Sequence, residues 1–244
     1  MKIISLVPSI TELLADLGLE DEVQGITKFC IHPAHFRKTK TIVGGTKNVH
    51  IDRIRLIKPD LVIANKEENI KEQVETIQAE FPVYLTDVNN FNDALLMIRQ
   101  TGKLTRREEA AESLIESINK SFNELARTGS TNRKSVAYLI WKDPYMVAAG
   151  HTYINDMLNH CGFENAFGNL DRYPAITTDD LKKPGIDIIL LSSEPYPFRH
   201  HHVQEISTLL PGKIIKMADG EMFSWYGSRM IKAAHYFNEL IYSI

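Results

Sequence analysis

The chain has 244 residues, 43% of them hydrophobic and 24% charged, enough for two domains of ordinary globular composition. Its 28 basic and 31 acidic residues leave a net charge of −3, which argues against the basic footprint of a nucleic-acid binder. No apolar run approaches the ~18 residues a membrane span needs, so no membrane insertion is expected.

Residues 2–7 read as a strand that Pro8 breaks. Ser9-Ile10-Thr11-Glu12 has the spacing of a capping box and predicts a helix, with Leu13, Leu14 and Leu17 on its apolar face and Gly18 at its end. A second strand is predicted over 22–28, then a turn-rich loop over 30–47 and a short helix carrying Ile51, Ile54 and Ile57. A strand over 61–64, a helix with Ile70, Val74 and Ile77, a strand over 83–85 and a helix over 91–101 follow. This alternation predicts a parallel, doubly wound sheet.

Thr105-Arg106-Arg107-Glu108 reads as a second capping box. It opens a long helix to about Arg127, with Ala111, Leu114, Ile115, Ile118, Phe122 and Leu125 in one stripe. At 1.5 Å per residue that helix is about 33 Å long, a strut between lobes. A loop is expected over 128–132. The second half predicts a strand over 135–141, with 145–148 extending or pairing with it. A helix opening at Gly150-His151, strands over 187–191 and 213–217, and a final helix after Gly227-Ser228 complete the chain. The expected domains are 1–102, a linking helix over 103–128, and 129–244.

One passage occurs twice. Pro59-Asp60-Leu61-Val62-Ile63-Ala64-Asn65-Lys66-Glu67-Glu68 is echoed by Pro184-Gly185-Ile186-Asp187-Ile188-Ile189-Leu190-Leu191-Ser192-Ser193-Glu194. Each copy is a Pro, an Asp, an unbroken apolar run, a small polar residue and a Glu. Such runs suit strands buried on both faces of a parallel sheet. The fold class expected is therefore α/β, with two doubly wound parallel-sheet lobes joined by one long helix. Ligands of open α/β sheets gather outside the carboxyl ends of the strands, which predicts a ligand cleft between the lobes.

The segments after strands are the candidate ligand contacts: Pro8, Ser9, Phe29, Gly45, Thr46 and Asn65 in the first half, and Trp141, Tyr145, His151, Tyr196, Phe198, Ser224, Trp225 and Tyr226 in the second. Aromatic side chains in loops suit a large flat ligand. Catalytic signatures are lacking: there is no Gly-x-Ser-x-Gly elbow, Walker loop or Gly-x-Gly-x-x-Gly, and Glu221 is the best single general-base candidate. No catalytic residue, resident metal or cofactor is assigned, and the chain is not expected to be an enzyme. Cys30-Ile31-His32 lacks a second Cys-rich knuckle, and His200-His201-His202 reads as a solvated loop. Cys30 and Cys161, one in each half, are expected as free buried thiols. The helix starts at Ser9 and Ser228 are compatible with an anion without being specific to one.

The opening Ile-Ser-Leu-Val-Pro-Ser-Ile-Thr-Glu-Leu-Leu, Leu17-Gly18-Leu19, Val43-Gly44-Gly45 and Leu56-Ile57-Lys58-Pro59-Asp60-Leu61-Val62 resemble the vitamin B12-binding receptors. These belong to the cobalamin, iron-siderophore and metal-binding class of periplasmic binding proteins. The closest likeness is to a leaderless subset carrying Asn-Lys-Glu-Glu-Asn and Phe-Ser-Trp-Tyr-Gly-Ser. The resemblance implies two α/β lobes on a rigid helix, a corrinoid, tetrapyrrole or siderophore-like ligand, delivery to an ABC permease, and a monomer. By that likeness Glu67, Glu68 and Glu72 on one lobe and Glu194 and Glu205 on the other would meet the permease. Lys66-Glu67-Glu68 departs from the cobalamin receptors, which often carry an aromatic or small residue there. Alternatives from other classes are a cytoplasmic corrinoid-handling factor or enzyme on the same fold, and a metal receptor using His32, His151 or the His200-His201-His202 run. With no leader ahead of the first strand, the chain as written reads as cytoplasmic, and as periplasmic or lipid-anchored if a leader has been removed.

Overall fold

The computed structural model describes residues 1–126 and 133–244. The expected loop over 128–132, and the helix end at Arg127, lie outside the described residues. The chain forms two compact units: Met1–Val88 with Asn92–Ile118 and Tyr226–Arg229, and Asn89–Phe91 with Asn119–Trp225 and Met230–Ile244.

In the first unit the elements run β1 (Ile3–Ser5), α1 (Pro8–Asp16), β2 (Val23–Ile26), α2 (Phe36–Thr39), β3 (Thr41–Ile42), α3 (Ile51–Ile57), β4 (Leu61–Asn65), α4 (Lys71–Gln78), β5 (Val83–Thr86), α5 (Phe91–Thr105) and α6 (Glu108–Ala126). The unit boundaries cut α5 after Phe91 and α6 after Ile118. The sheet order is β3-β2-β1-β4-β5, with every neighbour parallel. Strand order reverses at β1/β4, where Ile3, Ile4 and Ser5 lie opposite Leu61, Val62 and Ile63. All residues of both strands are buried. Ile4, Leu6, Val62, Ala64, Ile54 and Val74 pack one core on this sheet.

Two predicted helix starts take a different form. Pro8 occupies the first turn of α1, so Ser9 lies inside the helix and the N-cap is Val7, without a side-chain cap. Glu12 is then free to pair elsewhere. Thr105 closes α5 rather than capping α6: its hydroxyl donates back to the Thr101 carbonyl at 2.7 Å. The chain turns at Arg106 (φ 58°) before α6 begins. α6 therefore starts at Glu108, two residues later than expected, and its described part of 19 residues is about 28 Å long.

In the second unit follow β6 (Ser135–Trp141), β7 (Tyr145–Val147), α7 (Tyr153–His160), β8 (Glu164–Asn165), β9 (Ala175–Ile176), α8 (Thr178–Lys182), β10 (Ile188–Ser192), α9 (His200–Leu209), β11 (Ile214–Ala218), α10 (Gly220–Ser224) and α11 (Met230–Tyr242). The order is β11-β10-β6-β7-β9, with β8 beside the start of β6. β6, β8, β10 and β11 are parallel, but β7 is antiparallel to β6 and to β9. The sheet is mixed rather than wholly parallel because three residues join β6 to β7, too few for a crossover. Ala137, Leu139, Ile189, Leu191, Phe167 and Ile206 belong to its core.

The repeated passage has a structural counterpart. Asp60 accepts the Lys2 backbone N–H at 2.7 Å, and Asp187 accepts that of Ser135 at 2.8 Å. Their own N–H groups donate back to the Lys2 and Ser135 carbonyls at 2.8 and 2.9 Å. Each aspartate thus clamps the entrance of the strand beside it, fixing β1 against β4 and β6 against β10 in the same register.

Candidate functional site

In the first unit the candidates sit where β1, β2 and β4 end. Asn65, the last residue of β4, spends its side chain on the chain around it. Its Oδ1 accepts the Glu67 and Glu68 amides at 2.8 and 3.1 Å, and its Nδ2 donates to the Thr86 carbonyl and hydroxyl at 3.2 and 3.1 Å. It is 3% exposed, so it shapes the loop that presents Glu67 and Glu68. Asn69 completes the frame: its Oδ1 accepts the Asn65 amide at 2.9 Å, and its Nδ2 donates to the carbonyls of Thr46 (3.0 Å) and Leu6 (3.4 Å). This one amide ties the ends of β1 and β4 to the Gly45-Thr46 turn. The sequence marks Asn69 only as the end of the Asn-Lys-Glu-Glu-Asn stretch and not as a site residue in its own right, because its partners lie up to 63 positions away.

Phe29 is half exposed, with the Lys28 ammonium 5.0 Å from its ring centre. A Cβ on Gly45 would sit 3.2 Å from that ring, so glycine there lets the ring lie flat on the turn. Pro8 and Ser9 form the first turn of α1. Thr46 is buried, while Glu72 is exposed in the first turn of α4. Tyr226 is buried in this unit.

In the second unit the aromatics converge at the carboxyl end of β6 and in the loop after β10. Tyr196 packs edge-on to Trp141 at 5.6 Å and against Phe198 at 4.7 Å, and both Tyr196 and Phe198 meet the His202 ring. Trp141 is 39% exposed, Phe198 is buried, and Tyr145 packs on the same core as Tyr196. Glu205 is held by Lys142 at 2.6 and 2.7 Å.

Glu194 is not a loose surface acid. One of its oxygens accepts both the Ser224 hydroxyl at 2.7 Å and the Trp225 indole N–H at 3.0 Å. A Cβ on Gly220 would run into the Glu194 side chain and the Ser192 hydroxyl, so only glycine lets α10 approach this closely. Burial pushes the Glu194 carboxyl above its ordinary range, against the two hydrogen bonds that lower it. Trp225 is buried and oriented by that carboxylate. His151 stands apart from the aromatics, exposed and paired with Asp171 at 3.0 Å.

The histidine run is helical rather than a solvated loop. His200, His201 and His202 form the first turn of α9, and His202 is buried. His202 Nδ1 accepts the Arg199 amide at 3.0 Å, which places the proton of the neutral ring on Nε2. The nitrogen 3.1 Å from His201 Nε2 is therefore a donor, not a metal-binding lone pair. Among the described residues no group of three or more His, Cys, Asp or Glu is arranged to hold a metal. Cys30 and Cys161 are free and buried, and Thr11 donates to the Cys30 sulfur at 3.0 Å. Glu221 lies in the first turn of α10, its amide bonded to Asp219. No helix of the described residues is long and apolar enough to cross a membrane.

A family model described as periplasmic binding protein matches residues 3–208. The ABC transporter substrate-binding lipoprotein YvrC of Bacillus subtilis, itself uncharacterised, is 27% identical over 99% of this chain and 80% of its own length. A vitamin B12-binding protein of Pectobacterium carotovorum is 23% identical over 80% of this chain and 72% of its own. Among solved structures, the periplasmic heme-binding protein HutB of Vibrio cholerae superposes with a TM-score of 0.84 at 19% identity, covering 99% of each chain.

Proposed function

Since the chain belongs to the periplasmic binding protein family, a family of solute-binding proteins rather than enzymes, we propose that it is the receptor of an ABC importer for a tetrapyrrole, with a corrinoid first among the candidates and haem or a chelated iron next. The observation that carries this reading is the aromatic group of Trp141, Tyr145, Tyr196 and Phe198, which keeps the Trp141 ring partly open to solvent beyond the carboxyl end of β6. A flat, mostly apolar ligand gains most from such a surface. In the first unit the half-exposed Phe29 presents an aromatic ring of its own, lying against Gly45. Relatives named for vitamin B12 and heme support the ligand class.

The permease contact falls to Glu67, Glu68 and Glu72, presented by the loop after β4 and the start of α4. Glu205 is held by Lys142 and offers a weaker handle. Glu194 is assigned to orienting Trp225 instead, because its accepting oxygen is already used within the unit. Relatives named as a lipoprotein and as periplasmic proteins support a place outside the cytoplasm.

Titration of intrinsic tryptophan fluorescence with cyanocobalamin, cobinamide, haemin and a ferric siderophore tests the reading. One of the four is expected to bind saturably, and Trp141→Ala to weaken it at least ~10-fold, as loss of an aromatic anchor does. Absence of saturable binding by all four overturns it.

A further inference from the structure

The second unit holds a cavity of about 820 Å³ that the aromatic group does not touch. It is lined by Ser135 at the start of β6 and by Ile186 just ahead of β10. These are the opposite ends of the two strands from those carrying Trp141 and Glu194. Its volume falls in the range of small-molecule sites, roughly 300–1,000 Å³.

The wall is set by backbone rather than by mobile side chains. Gly150 N–H donates to the Leu170 carbonyl at 3.0 Å, Arg172 N–H to Gly150 at 2.9 Å, and Ala166 N–H to Val136 at 2.9 Å. Asn165 locks the loop further, donating to the Ala148 carbonyl at 3.0 Å and to Asn155 Oδ1 at 2.9 Å. The chain from Ala166 to Leu170 is thereby held in one shape.

The lining is mostly uncharged and rich in hydrogen-bonding groups. The Asn155 backbone N–H donates to the Thr152 hydroxyl and its Oδ1 accepts from Asn165, but its side-chain Nδ2, the side chains of Asn159 and Asn169 and the Ser135 hydroxyl have no hydrogen-bond partner among the described residues. The cavity's one lysine, Lys183, is paired with Asp180 at 2.7 Å, and Glu164 adds a negative charge, so an anion finds no unpaired cation there. Carboxamides present donor and acceptor side by side, as vicinal hydroxyls do, and Phe167 and Ile186 supply apolar surface for C–H groups.

We infer that this cavity is a second binding site, separate from the tetrapyrrole site, for a neutral polyhydroxylated molecule of mono- to disaccharide size. Saturation-transfer-difference NMR of the full chain with maltose, cellobiose, trehalose and sorbitol, and with glucose 6-phosphate as the anionic arm, tests this. Asn159→Trp and Asn169→Trp, both at exposed positions, fill the cavity without touching the core. The expected result is a saturable signal from at least one neutral probe, reduced at least 10-fold in both variants and retained in Trp141→Ala. Circular dichroism and tetrapyrrole binding stay as in the parent for the two cavity variants, which separates failure of this site from failure of the receptor reading. Silence from every neutral probe, a signal confined to glucose 6-phosphate, or a signal indifferent to both tryptophans overturns the inference.

Discussion

Arg229 grips Glu12 across 217 residues of chain, Nε to Oε2 at 2.7 Å and Nη2 to Oε1 at 2.8 Å, with both side chains more than nine-tenths buried. Two parallel charge-assisted bonds satisfy both carboxylate oxygens inside the first unit. Removing one partner strands the other without water. Arg229→Ala is therefore expected to lose about 3–5 kcal/mol in urea unfolding. The double change Glu12→Met with Arg229→Met should recover most of it, because an apolar pair has no charge to desolvate. A double variant no better than the single one would show that the guanidinium acts through packing alone.

Asn65 offers a second measurement. Its side chain accepts two amides and donates twice to Thr86 in a buried loop. Asn65→Ala should cost about 2–3 kcal/mol, since buried peptide groups lose their partners. Denaturant unfolding reads this directly, and a change under 0.5 kcal/mol, roughly the scale of an ordinary surface substitution, would rule out the framing role.

Glu194 makes stability depend on pH. Burial raises its carboxyl in the folded state, so folding favours the protonated form. Its contribution is complete below its ordinary value of 4.5 and disappears as pH rises through the raised folded value. Glu194→Gln keeps an oxygen for Ser224 and Trp225 and has no charge to bury. Thermal melts from pH 4 to 8 should show the variant gaining on the parent as pH rises, with the two converging at the acid end. Parallel curves would contradict the assignment.

The two thiols supply the fourth test. Burial is the main cause that pushes both Cys30 and Cys161 above the ordinary thiol range, and only thiolates react readily. Ellman's reagent at pH 8 should find no fast-reacting thiol in the native chain and two in guanidinium. A native thiol reacting within seconds would mean that one of these sites opens.

The strands were the most readable part of the sequence. β6 runs over the predicted residues 135–141, and β4 and β10 each extend one residue past their apolar run. A strand buried on both faces leaves an uninterrupted apolar signature. β8 and β9 are two residues each, too short for any period to register. Glu12 was misread because its spacing from Ser9 imitates a cap, while the partner that decides its role lies at the other end of the chain. The repeat announced Asp60 and Asp187 but not their task, since the amides they accept belong to strands 58 and 52 positions earlier. Among the candidate ligand residues, the exposed rings of Phe29 and Trp141 stayed open, whereas Asn65 proved to be occupied by its own loop.

The Tyr226–Arg229 segment belongs to the first unit although the helix that follows it belongs to the second. On the ribosome, at roughly 5–20 residues per second, the Glu12 carboxylate emerges ~10–40 s before its guanidinium is even synthesised. Until Arg229 is made the buried Glu12 carboxylate has to fold without its guanidinium, so the first unit gains this pair only when nearly the whole chain has been translated.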